Sequence, residues 1–167
     1  GNGTIAEVLE VEQFWAHRHT IHELRSHADL LSHRAYRSCL ALAPDIAEEV
    51  YTTRLRIPDR AIDAEHTLDL GGRSVRMWHP GPAHTNGDLV VQADDVVMVG
   101  DLVEEGAPPD IDGSDLQNWP LVLESLLPHM TGPVIPGHGD IVDSQYVAQQ
   151  RRLLARLADF ADVGPAD

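Results

Sequence analysis

The sequence predicts an α/β layered fold, a sheet with helices on one side, and three observations carry that prediction. Apolar residues recur at helical spacing near both ends of the chain, two hairpin patterns follow one another in the middle, and the run Pro133 to Pro136 (PVIP) has the length of one short buried strand. Successive hairpins imply antiparallel pairing over that part of the sheet.

In order along the chain, Thr4 is placed to cap a short helix through Leu9, and Val11 to Ala16 (VEQFWA) has the β-branched and aromatic content of a strand. From Ile21 the apolar residues Ile21, Leu24, Ala28, Leu31 and Ala35 alternate steps of three and four, which describes one face of a single amphipathic helix. Pro44 and Asp45 break it and cap another helix through about Thr52. His66 to Leu70 and Ser74 to His79 flank Gly71-Gly72, and Leu89 to Ala93 and Val96 to Val99 flank Asp94-Asp95; both pairs read as hairpins. Ala107-Pro108-Pro109 is irregular, Ser114 or Asp115 caps a helix to about Leu127, and a final amphipathic helix carries Val147, Leu154, Leu157 and Ala161.

The 167 residues suffice for one sizeable core, and no linker-like stretch separates two, so a single domain over 1–167 is expected. Acidic residues outnumber basic ones 27 to 12, for a net charge of -15, which disfavours nucleic acid as a partner. No apolar run approaches the ~20 residues that cross a bilayer, so no membrane partner is expected. The lone Cys39 forms no internal disulfide, and its neighbours Leu40 and Leu42 mark it as a small hydrophobe. A cytoplasmic setting fits these features, with secretion left open.

The residues that carry chemistry sit at strand ends and in Gly-rich turns. His84 lies in PAHTNGD (82–88), Asp101 follows the apolar strand ending at Val99, and His138 lies in PGHGD after the strand ending at Pro136. Two imidazoles and a carboxylate suit zinc and also iron or manganese, but three donors leave a coordination sphere incomplete. If the strands neighbour one another with their ends on one rim, the three side chains converge. Asp88 and Asp140 are candidates to orient the imidazoles, against the simpler role of turn formers. His79 reads as a hydrogen-bonded structural group, Trp15, Trp78 and Trp119 as packing residues, and His27, His33, His66 and His129 as surface residues. The acidic stretch 103–115 is a substrate rim or a solvated connector.

With these residues the sequence resembles the metallo-β-lactamase superfamily of metal-dependent hydrolases. HPGPAHTNGDLVV looks like the family segment with the third histidine ligand, VVMVGDLV like the one with the bridging aspartate, and VIPGHGDIVD like the one with the last histidine. The resemblance implies part of an αββα sandwich, mainly its C-terminal half, and a pair of divalent metals, most simply zinc. On it, His84 ligates the first metal, Asp101 bridges both as the catalytic carboxylate, and His138 ligates the second. Metal-activated water would attack a carbonyl, ester or thioester of a small-molecule substrate.

The family's H-x-H-x-D-H motif is not intact. His17-Arg18-His19-Thr20-Ile21-His22 reproduces its histidine spacing but has Ile21 in place of the aspartate, and Ile21 also fits the helical core stripe. The expectation is a chain that starts just past the motif, at the Gly1-Asn2 pair, lacks four ligands, and is impaired as an enzyme. An uncovered apolar sheet face then calls for a homo-oligomer or a complementing N-terminal fragment. Two other readings stand: a non-catalytic interaction module with a vestigial half-site, and a metal-binding domain built on His17, His19, His22 and His27.

Overall fold

The computed structural model describes residues 2–53 and 55–163. Gly1 of the Gly1-Asn2 pair lies outside them. Two compact units are distinguished by their internal contacts, Gly1–Ala61 and Ile62–Asp167.

The first unit holds α1 (Asn2–Val8), β1 (Trp15–His17), α2 (Arg18–Ser26), α3 (Ala28–Leu42) and α4 (Ala47–Thr52). A short strand that sequence periodicity missed, β2 (Arg60–Ile62), pairs with β1. The strand expected over 11–16 shrinks to β1, whose approach is fixed by Asp59: its carboxylate accepts the Phe14 N–H at 3.2 Å, and its own N–H donates to Phe14 O at 3.0 Å. The single helix expected from Ile21 is two helices, broken at His27 (φ -127, ψ 22). Periodicity could not show the break, because Leu24 and Ala28 stay four residues apart across it. Ile21 is buried, but α3 buries nothing, so the stripe beyond the break is not a core face.

The second unit contains a mixed five-stranded sheet in chain order: β3 (Glu65–Asp69), β4 (Ser74–Trp78), β5 (Val90–Ala93), β6 (Val96–Glu104) and β7 (Val134–His138). The first three pairings are antiparallel and β6–β7 is parallel. At the first hairpin Gly71 and Gly72 take φ of +76° and +109°, values that cost a Cβ-bearing residue strain, and Asp69 Oδ1 accepts the Gly71 N–H at 2.9 Å. Arg76 of β4 reaches Glu65 of β3 at 2.8 Å and lies over the Trp78 ring. That contact holds the Glu65 carboxyl below its ordinary pKa and the Arg76 guanidinium above its own.

Period-2 alternation divides the sheet. Trp78, Val90, Val97, Val99 and Val134 face α5 (Trp119–Leu126) and α6 (Ser144–Val163) and form the core with Trp119, Leu123, Leu126, Val147 and Leu154. The opposed set Met77, Val91, Met98 and Ile135 shares the other face, where Met77 alone of the four is buried. This is the α/β layering with helices on one side that the patterning predicts. On α6 the buried stripe is Val147, Gln150, Leu154 and Ala158, while Ala161 is exposed. The helix begins where Asp143 Oδ1 accepts the Tyr146 N–H at 2.9 Å. At α5 the cap residue Asp115 instead orders the turn before the helix, accepting the Asn118 N–H at 3.0 Å, so the helix starts later than expected.

Leu123→Ala, which empties a fully buried position on α5, is expected to cost about 2–5 kcal/mol. Urea unfolding of the two proteins measures it, and a loss well below that range would mean the α5–sheet interface is not close-packed.

Candidate metal centre

The strand carrying Asp101 does not end at Val99. It runs to Glu104, with register shifts against β7 between Met98 and Gly100 and between Gly100 and Glu104. Gly100 has φ of +55° at the first shift. The sequence pattern hid this, because Gly100-Asp101 looks like a strand end, whereas Leu102 and Val103 beyond it are fully buried.

Surplus residues on one strand leave peptide groups that need partners. Helix side chains supply them. Leu102 O accepts the Trp119 indole N–H at 3.0 Å and the Gln150 amide at 2.9 Å, Gln150 Oε1 accepts the Glu104 N–H at 3.0 Å, and the Tyr146 hydroxyl donates to Glu104 O at 2.9 Å. Partial burial, followed by the negative charge of Glu105, raises the Tyr146 pKa above the usual phenol value.

Gly137 lets β7 approach. A Cβ there would collide with the Asp101 carboxylate and stand 2.8 Å from both the Asp101 nitrogen and the Gly100 carbonyl carbon. The result is direct contact, His138 Nδ1 to Asp101 Oδ1 at 3.0 Å, with the His138 side chain exposed and that of Asp101 half-buried.

His84 is held separately. Its loop is fixed by Asn118, which donates to Pro82 O at 2.6 Å, by the Asp115 N–H on Ala83 O at 2.8 Å, and by Asp88, which accepts the Thr85 N–H and hydroxyl at 2.9 and 2.6 Å. The His84 ring packs against Trp119 with centroids 5.5 Å apart, and its Nδ1 is 3.8 Å from Asp88 Oδ1, too far for a hydrogen bond. Asp88 thus acts as a turn former. His79 directs Nδ1 to Asp88 O at 2.8 Å, the structural role expected of it.

Of the three residues, then, Asp101 and His138 are brought together. Among the described residues no group of three or more His, Cys, Asp or Glu side chains is arranged to hold a metal ion. The N-terminal histidines do not form one either: the His17 and His19 rings lie 5.2 Å apart, while His27 is engaged with Glu23 at 3.0 Å.

The pair nonetheless fits one edge of a coordination polyhedron. With metal–donor bonds of about 2.0–2.1 Å, donors stand about 2.9 Å apart at right angles and about 3.3 Å apart in a tetrahedron, and the observed 3.0 Å falls between. Imidazole with carboxylate also suits zinc, iron or manganese. Asp101 and His138 fit as a half-site; the number of donors is what falls short.

The described residues of the second unit thus form a mixed α/β sheet with helices on one face, and its parallel β6–β7 pairing brings Asp101 and His138 together. Residues 1–158 match the metallo-beta-lactamase superfamily, and the chain belongs to that family. Among solved structures, DIM-1 metallo-beta-lactamase matches with a TM-score of 0.65 at 18% identity, over 93% of this chain and 62% of that one. VMB-1 matches with a TM-score of 0.61 at 16% identity, over 93% and 61%. A metallo-beta-lactamase from Pontibacter korlensis matches at 26% identity with a TM-score of 0.55, over 67% and 54%. This chain therefore spans less than two thirds of each of those chains. Comparison with curated proteins gave no significant match.

Gly137→Ala is expected to lower stability by about 1–3 kcal/mol, because the new methyl group meets the Asp101 carboxylate and, with it, backbone atoms of Gly100 and Asp101. Its urea midpoint measures this, and an unchanged midpoint would show that β7 can shift freely. A second expectation concerns Tyr146. Its raised folded-state pKa means that stability is fully present below the unfolded phenol value, near 10, and falls as pH rises through the folded value. Tyr146→Phe should remove that part of the alkaline loss in melting temperatures recorded above pH ~10.

Proposed function

We propose that this chain contributes the Asp101–His138 part of the centre of a metal-dependent hydrolase acting on a carbonyl, ester or thioester in a small molecule. The observation that carries this reading is the 3.0 Å contact between Asp101 and His138, made across a parallel strand pair in a family-matched chain. Divalent cations bound in such a centre, most simply zinc with iron or manganese as alternatives, supply a water of lowered pKa as nucleophile and polarise the substrate oxygen.

What this chain's own residues do is narrower. Asp101 presents one carboxylate oxygen beside an imidazole nitrogen of His138, and the Gly137 gap keeps the two in register. His84 is proposed as a further donor, needing movement of its loop to join them. The donors still lacking would come from a complementing segment or a second copy, so the isolated chain is expected to be impaired in hydrolysis. The two-donor count also supports a second reading, a non-catalytic interaction module that retains a vestigial half-site.

Zinc titration followed by calorimetry separates these. The hydrolase reading expects weak uptake by the native chain, a loss of roughly tenfold or more in affinity for Asp101→Asn and for His138→Ala, and ester or thioester hydrolysis at most slow. Uptake lost instead on replacing His19 and His22 would assign the metal to the N-terminal histidines, and no uptake at all would favour the interaction module.

A further inference from the structure

His138 is the more exposed member of the pair, with 69% of its side chain open to solvent, so packing does not fix its ring. What restrains it is the turn that carries it. That turn is wrapped around one residue, Glu105. The Glu105 N–H donates to His138 O at 3.0 Å, and the Glu105 carboxylate Oε2 accepts the Asp140 N–H at 2.9 Å. Between these two bonds sits Gly139 at φ +87°, where a Cβ would collide with both the carbonyl and the carboxylate of Glu105. One residue thus grips the turn on both sides of its tightest point, and the side-chain bond is of the stronger, charge-assisted kind.

We propose that Glu105 is a positioning residue for His138, its carboxylate clamping the 138–140 turn so that the imidazole stands ready beside Asp101 for a divalent cation. The inference rests on the metal-centre reading above. Ordering a turn in advance removes an entropic cost that binding would otherwise bear, and groups that hold ligands in place commonly change metal affinity by about 10–100-fold. The clamp also gives a role to the start of the acidic stretch after Asp101: Glu105 holds the 138–140 turn through both its backbone and its carboxylate.

The test uses the 15N-labelled full chain, with amide hydrogen exchange at Asp140 and zinc titration followed through the His138 signals. Glu105→Ala is expected to speed Asp140 exchange by about tenfold and to weaken zinc binding by about tenfold. Glu105→Gln keeps an acceptor and should restore both toward the native values. Should the alanine variant not fold, Glu105→Asp, one methylene too short to reach Asp140, replaces it with the same expectation. Unchanged Asp140 exchange overturns the proposal, as does faster exchange with unaltered zinc affinity, which would leave Glu105 a purely structural part of the turn. The native chain's own titration keeps the two ideas apart: zinc uptake that ignores Glu105 sinks the clamp alone, whereas absence of uptake by the native chain sinks the metal-centre reading and the clamp with it.

Discussion

The parallel pairing of β6 with β7 is possible in its observed form only because residue 137 lacks a Cβ. The Asp101 carboxylate occupies the space that a methyl group would take. Strand neighbours in a sheet lie roughly 4.8 Å apart, which leaves little room for a carboxylate turned along the partner backbone. With glycine there, the acid can lie against β7 and meet His138, the last residue of that strand. Any other residue would force either the strands or the carboxylate aside, and the pair would part. One missing side chain thus couples the sheet's construction to its chemistry.

That close approach comes at the expense of strand regularity, and the helices absorb the consequences. Leu102 lies within the second register shift and Glu104 closes it opposite His138, and buried peptide groups without partners are costly. Trp119 and Gln150 satisfy them from α5 and α6, while Tyr146 holds Glu104 O. The same helices bury their apolar stripes on that face, so the polar contacts and the hydrophobic core fix β6 together. The end of β6 is consequently tied to both helices, although His138 is open to water and Asp101 partly so.

Much of this was legible in the sequence. Gly71-Gly72 between two alternating runs fixes a hairpin by backbone freedom alone, and Val147 with Leu154 marks a helix that must find a core. The Asp101 and His138 segments were recognisable because each sets a donor beside glycine after an apolar run. What stayed hidden depends on residues distant in the chain. The extension of β6 past Gly100 needs β7 as its partner, and Gly137 looks like an ordinary turn residue until Asp101 lies against it. Glu105 read as one acid among many, since nothing local distinguishes a carboxylate that accepts the N–H of a residue 35 positions away. The break at His27 was invisible for the opposite reason: the apolar spacing runs through it unchanged.

The electrostatics and the coordination chemistry of the chain pull unequally on a cation. A net charge of -15 raises the local concentration of any divalent ion, an effect that salt screens over about 8–10 Å. Attraction of that kind selects no particular position, because it is spread over 27 acidic side chains. Holding an ion at one place requires donors within bonding distance, and among the described residues Asp101 and His138 stand together in that way. His138 and Asp101 meet at 3.0 Å with His138 largely open to solvent, so neither is left as an uncompensated buried charge. Charge thus draws cations to the surface in general, while the contact of Asp101 with His138 is what could single out one position on it.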